Sequence, residues 1–188
     1  EIRLSLVGSE MCIRDSSIVQ KLNEEQVADT AASDEEAVLE NKIAEYDAFL
    51  TKQDPAFTVE ELEEAMQKVM DQYAGGIGTH YQFNEKQLAM AEEKIKKLQI
   101  LAKGLAAADM HELMFIYELK ERLTVCLTVI AHLRARKETR WHSFAENLDY
   151  PEKSDAWLCY VNSKKNGDQI TMIRRDLVKG GETYEHLD

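Results

Sequence analysis

The sequence predicts a mainly α protein, an antiparallel bundle of three to four helices followed by a C-terminal β-hairpin. Three observations carry this. Apolar residues recur at three- and four-residue intervals through residues 33–137, and capping residues stand where each helical run begins. Beyond Pro151 the apolar period drops to two on either side of Asn166-Gly167, a strong hairpin signal. The expected division is 1–16 as an assembly artefact, 17–32 as a linker or weak helix, 33–150 as the bundle, 151–177 as a hairpin extension and 178–188 as a flexible tail.

Residues 1–16 resemble a translated sequencing-adapter string, lack the layout of a signal peptide and are set aside. A chain that opens on Glu1 is expected to begin within a gene. Ser33 with Glu36 has capping-box spacing, so a first helix should run to about Thr51 with Val38, Leu39, Ile43, Tyr46, Phe49 and Leu50 as its apolar side. Pro55 then pushes the chain out of the helical region. Thr58 and Glu61 repeat the capping box, and Leu62, Ala65, Met66, Val69, Met70 and Tyr73 form one continuous stripe. Gly75, Gly76 and Gly78 stop that helix; no strand precedes them and no Gly-Lys-Ser/Thr follows, so they read as a turn and not as a phosphate loop.

Asn84 with Gln87 starts a third helix with Leu88, Ala91, Ile95, Leu98 and Leu101 inward and lysines outward. After a break at Gly104, Asp109 with Glu112 opens the fourth and longest helix, expected to reach Lys137. It is apolar nearly all round from Leu123 to Leu133, which predicts a place at the centre of the bundle.

The composition narrows the function classes. At 188 residues and 44% hydrophobic content, one domain with a real core is expected. A net charge of −12 argues against nucleic-acid binding, which needs a basic face. Cys12, Cys126 and Cys159 form no Cys-x-x-Cys pair, which points to a reducing compartment, the cytoplasm. No apolar run approaches the length of a membrane span.

Chemistry, if present, should sit where the longest helix ends. Arg134, Arg136, Lys137, Arg140 and Trp141 crowd that terminus and are the interface candidates. Cations there also favour the helix dipole with no function implied. Arg140 and His142 are the only catalytic candidates, since together they could polarise a carbonyl or carboxylate. The favoured account is duller: Trp141 packs and Arg140 pairs with a buried acid such as Asp149. His80, His111, His132, His142 and His186 are scattered without metal-ligand spacing, and no Gly-x-Gly-x-x-Gly element is present, so neither a metal nor a dinucleotide is expected on the chain itself.

Leu113-Met114, Tyr117-Glu118-Leu119, Arg136-Lys137-Glu138-Thr139-Arg140-Trp141, Asp149-Tyr150-Pro151-Glu152-Lys153-Ser154-Asp155 and Trp157 together resemble the carboxy-terminal region of the fumarate reductase/succinate dehydrogenase flavoprotein superfamily. Glu138-Thr139-Arg140-Trp141 with Val161-Asn162-Ser163-Lys164 is more similar to the adenylylsulfate reductase alpha-subunit branch, and the likeness spans roughly residues 45–175. The resemblance implies an FAD-dependent oxidoreductase as parent, with FAD and most substrate ligands on an N-terminal flavin domain that this sequence does not contain. It implies a helical piece that binds no flavin itself, packs on that domain and helps face an iron–sulfur subunit. The expected function is therefore that of a C-terminal helical domain scaffolding the flavin domain and a redox partner; a freestanding, non-enzymatic helical interaction module is the alternative. The resemblance leaves open whether the parent's substrate is adenylylsulfate, fumarate/succinate or another.

Overall fold

Each helix after the first starts on a side chain that answers its orphan N–H groups. Thr58 accepts from Glu61 N while Glu61 reaches back to Thr58 N, a complete capping box for the second helix, α2 (Val59–Tyr73). Asn84 accepts from Gln87 N at 2.9 Å to open α3 (Glu85–Ala102). Asp109 accepts from both His111 N and Glu112 N at the start of α4 (Met110–Ala135). The first helix, α1, is Ala32–Leu50. The computed structural model describes residues 32–167 and 169–177; the readings for 1–16, 17–31 and 178–188 lie outside the described residues, while Ser33, expected to cap the first helix, already lies within it.

Four short or paired strands complete the order. β1 (Gln82–Phe83) pairs in parallel with β2 (Glu146–Asn147), and β3 (Cys159–Asn166) pairs antiparallel with β4 (Gln169–Asp176). The predicted class, four helices and a terminal hairpin, is what the chain adopts. It divides into two compact units, Glu1–Tyr46 and Asp47–Asp188, and the core described here belongs to the second. There α3 packs on α2 and α4, and the hairpin packs on α4. The buried residues of α3 are Leu88, Ala91, Ile95, Leu98 and Ala102, a strict alternation of three and four. That alternation corrects the expectation for Leu101, which falls one position off the stripe and is exposed while Ala102 is buried. Phe49 is buried with its ring edge-on to Tyr117 at 6.2 Å, and its carbonyl accepts from Ala107 N.

Three further expectations are corrected. On α1, Val38, Leu39 and Ile43 are exposed, so the apolar side read from the sequence is covered only at its C-terminal end, where Phe49 is buried and Tyr46 and Leu50 are half-buried. α4 ends at Ala135, and it is not covered all round: Leu123 and Ile130 are buried, but Val125 is 60% exposed and Val129 lies open beside it. The hairpin ladder continues to Asn166 opposite Gln169, so Asn166 is a strand residue and not a turn residue; Gly167 supplies the positive φ of +60°. At the other glycine turn Gly75 has φ +78°, and a Cβ there would meet Phe83 Cδ1 at 3.0 Å. Among the described residues no helix is long and apolar enough to cross a membrane.

Candidate functional site

Past Ala135 the backbone leaves the helix, with Arg136 in an extended conformation (φ −86°, ψ 106°). In an extended chain alternate residues share a side, so 136, 138 and 140 can converge. They do. Glu138 is only 4% exposed, and its carboxylate accepts from Arg136 Nη1 at 2.5 Å, from Arg140 Nε and Nη2 at 2.9 Å each, and from Ser154 N at 3.0 Å. Burial alone would raise the Glu138 carboxyl; the Arg140, Ser154 and Arg136 bonds outweigh it and hold it at about 2. The same contact raises Arg140 above its ordinary value. Arg136 goes on to donate to the carbonyls of Trp157 and Cys159 at 3.0 Å, which ties the end of α4 to the start of the hairpin. The guanidinium carbons of Arg136 and Arg174 in turn stand 5.9 and 4.3 Å from the Trp157 ring centroid.

Thr139 fixes the other half of the loop. Its hydroxyl is buried, accepts from Asn147 N at 2.9 Å and donates to Tyr150 O at 2.9 Å. Asn147 lies in β2, whose flanks are held by Glu146 N to Tyr81 O and Leu148 N to Phe83 O. Asp149 accepts from Glu85 N at 2.7 Å, adding a carboxylate to the positive start of α3. One loop thus joins the C-terminus of α4 to the N-terminus of α3 and to the hairpin.

The predicted site residues fare differently. Arg134 lies on α4, its Nη1 2.5 Å from Glu92 and its Nε 2.7 Å from Glu85, and it lines a cleft of about 430 Å³ with Lys96, Ile130, Ile170 and Met172. The Lys96 and Arg134 bonds lower Glu92 below the usual carboxylate range. Lys137 is exposed over the ring of Tyr150. Arg140 pairs with Glu138 and not with Asp149, because the acid two residues away shares its side of the extended chain while Asp149 is committed to α3. Trp141 does not pack: it is 68% exposed on a turn in which Phe144 N and Ala145 N both donate to its carbonyl. His142 is exposed, its Nδ1 3.4 Å from Glu146 Oε1; Glu146 is lowered first by Gln82 and then by His142.

Arg140 and His142 are therefore not brought together on an open substrate position, since the forked face of Arg140 is already filled by Glu138. The glycine turn is likewise filled. Gly78 N donates to Asp71 Oδ1 at 2.9 Å, and a Cβ at Gly76 or Gly78 would collide with Asp71, so a carboxylate occupies the space a phosphate would need. Among the described residues no group of three or more His, Cys, Asp or Glu is placed to hold a metal ion. Of the residues that organise the loop, Asn147 was not singled out from the sequence, and Glu138 and Thr139 stood only in the resembling motif with no role given, although the Arg-x-Glu-x-Arg spacing past a helix end was a readable signal.

The profile described as fumarate reductase flavoprotein C-term matches residues 63–180. Adenylylsulfate reductase subunit alpha from Megalodesulfovibrio gigas is 34% identical over 98 residues, which make up 52% of this chain and 15% of that protein. The solved adenylylsulfate reductase from the hyperthermophilic Archaeoglobus fulgidus superposes with a TM-score of 0.72 at 31% identity, covering 80% of this chain and 26% of that one. The E. coli quinol fumarate reductase shares the fold, with a TM-score of 0.67 at 19% identity over 86% of this chain and 28% of that one. The chain thus spans roughly a quarter or less of the length of the relatives it matches.

Proposed function

Because this chain belongs to the fumarate reductase flavoprotein C-terminal family, we propose that it is the helical C-terminal part of an FAD-dependent oxidoreductase subunit of the adenylylsulfate reductase type. Its task is to brace the flavin-bearing part and a redox partner, an iron–sulfur subunit, while FAD and the chemistry of a small oxidised substrate reside elsewhere in the enzyme. The higher identity to adenylylsulfate reductases than to the quinol fumarate reductase supports that branch and adenylylsulfate as the substrate. The free thiols Cys126 and Cys159 suit a reducing cytoplasm.

The observation that carries the reading is the Arg136–Glu138–Arg140 clamp. It takes the one arginine suited to a substrate anion and turns it into a brace between α4, the hairpin and the loop. The experiment is to recover the intact reading frame and purify its product beside the 188-residue chain. The intact protein should carry FAD and reduce adenylylsulfate, and the chain alone should take up none. Stoichiometric FAD on the chain alone would refute the reading. A reading frame without a dinucleotide-binding unit would leave a freestanding interaction module instead.

A further inference from the structure

We propose that Trp141 and Phe144 anchor this chain on the flavin-bearing part of its own enzyme, through an apolar pocket there and not through an acidic surface; this rests on the function proposed above. The two side chains, 68% and 73% exposed, are the most exposed aromatics among the described residues. They stand on a turn closed by the Trp141–Ala145 bridge and by the bonds of Phe144 N and Ala145 N to Trp141 O, both 3.0 Å. The turn is rooted in the buried, hydrogen-bonded pair Thr139 and Asn147. Anchors held on ordered backbone lose little freedom on docking. Leu148, Tyr150 and Tyr81, all exposed, stand on the same loop and on the strand end bonded to it, and they extend the apolar character of the surface.

Charge points away from an acidic partner. Arg134 is already engaged by Glu85 and Glu92, and Arg136 and Arg140 by Glu138, so three of the four cations that crowd the helix end are answered within the chain. With those cations answered within the chain, the two solvent-facing aromatics are left to carry an interface, as tryptophan does by filling a pocket. The covering protein is at hand in the relatives, since only 26% of the Archaeoglobus fulgidus chain is matched by this one.

The test is the double variant Trp141→Ser/Phe144→Ser in two settings. In the 188-residue chain alone the unfolding temperature should be unchanged, because neither side chain contributes to its core. In the intact FAD-bearing enzyme the variant should release FAD about 30-fold faster on dilution, the equivalent of ~2 kcal/mol of lost anchoring, and added salt should not accelerate release from the wild type. Wild-type FAD retention by the variant overturns the proposal. So does a wild-type release rate that climbs steeply with salt, the mark of charge-driven docking. A loss of the iron–sulfur subunit with FAD retained overturns it too, by placing the pair against the other partner. An enzyme that carries FAD yet ignores the variant sinks only the anchoring; an intact protein with no FAD sinks the proposed function and the anchoring together.

Discussion

Replacing Glu138 by Gln tests whether the clamp holds the loop or merely decorates it. The glutamine is nearly isosteric but carries an N–H₂ group where the carboxylate accepted, so it faces Ser154 N or an arginine with donor against donor. The magnitude follows from the carboxyl. A group held at about 2 instead of 4.5 corresponds to roughly 3 kcal/mol of native-state preference for the charged form. Arg136 and Arg140 keep 32% and 21% of their side-chain surface in water, so about 2 kcal/mol is the working figure. For a domain of this size that is a fall of roughly 4–8 °C in unfolding temperature. The pH dependence has a definite sign. The folded carboxyl is depressed, so its contribution is complete above about 4.5 and fades as pH falls towards about 2. Thermal unfolding of wild type and Glu138→Gln, followed by circular dichroism from pH 7 to pH 2, should show curves that converge as the solution becomes acid. A constant gap at every pH, or none at pH 7, would refute the assignment of that energy to the carboxylate.

Thr139→Val keeps the shape but strands the Asn147 N–H, and urea unfolding should show a loss of about 1–3 kcal/mol. Asp149→Ala removes the carboxylate at the start of α3 and should cost about 1 kcal/mol, with faster amide exchange confined to the first turn of that helix. On α4, Leu123→Ala should cost about 2–5 kcal/mol and Val125→Ala less than about 0.5 kcal/mol, in the same chemical denaturation assay.

The fold was legible wherever local chemistry and periodicity agreed. Thr58 with Glu61, Asn84 with Gln87 and Asp109 with Glu112 gave three helix starts to the residue, because a cap is a contact within four residues. The stripe from Leu62 to Tyr73 faces inward for the same reason. Errors arose where periodicity had to stand in for tertiary contact. Leu101 and Ala102 are both apolar, and only the three-four register set by Ile95 and Leu98 decides which is covered. Val125 and Val129 show the limit more sharply: a sequence states that a face is apolar, while coverage depends on what the chain can lay over it.

The candidate site was legible as a place and not as an arrangement. The cationic end of α4 was visible in composition, and the favoured role of Arg140 held, since it pairs with a buried acid; but that acid is Glu138 in place of Asp149, and Trp141 stayed outside. Both errors share a cause. Once α4 stops at Ala135 the governing period changes from 3.6 to 2, so Glu138 turns to the same side as Arg136 and Arg140. Trp141, one position out of step, then opens a turn that carries it into solvent. The clamp and the exposed indole are therefore one event seen from two sides. If that is correct, a change that restores helical phase past Ala135 should lose the clamp and bury the indole together, never one without the other.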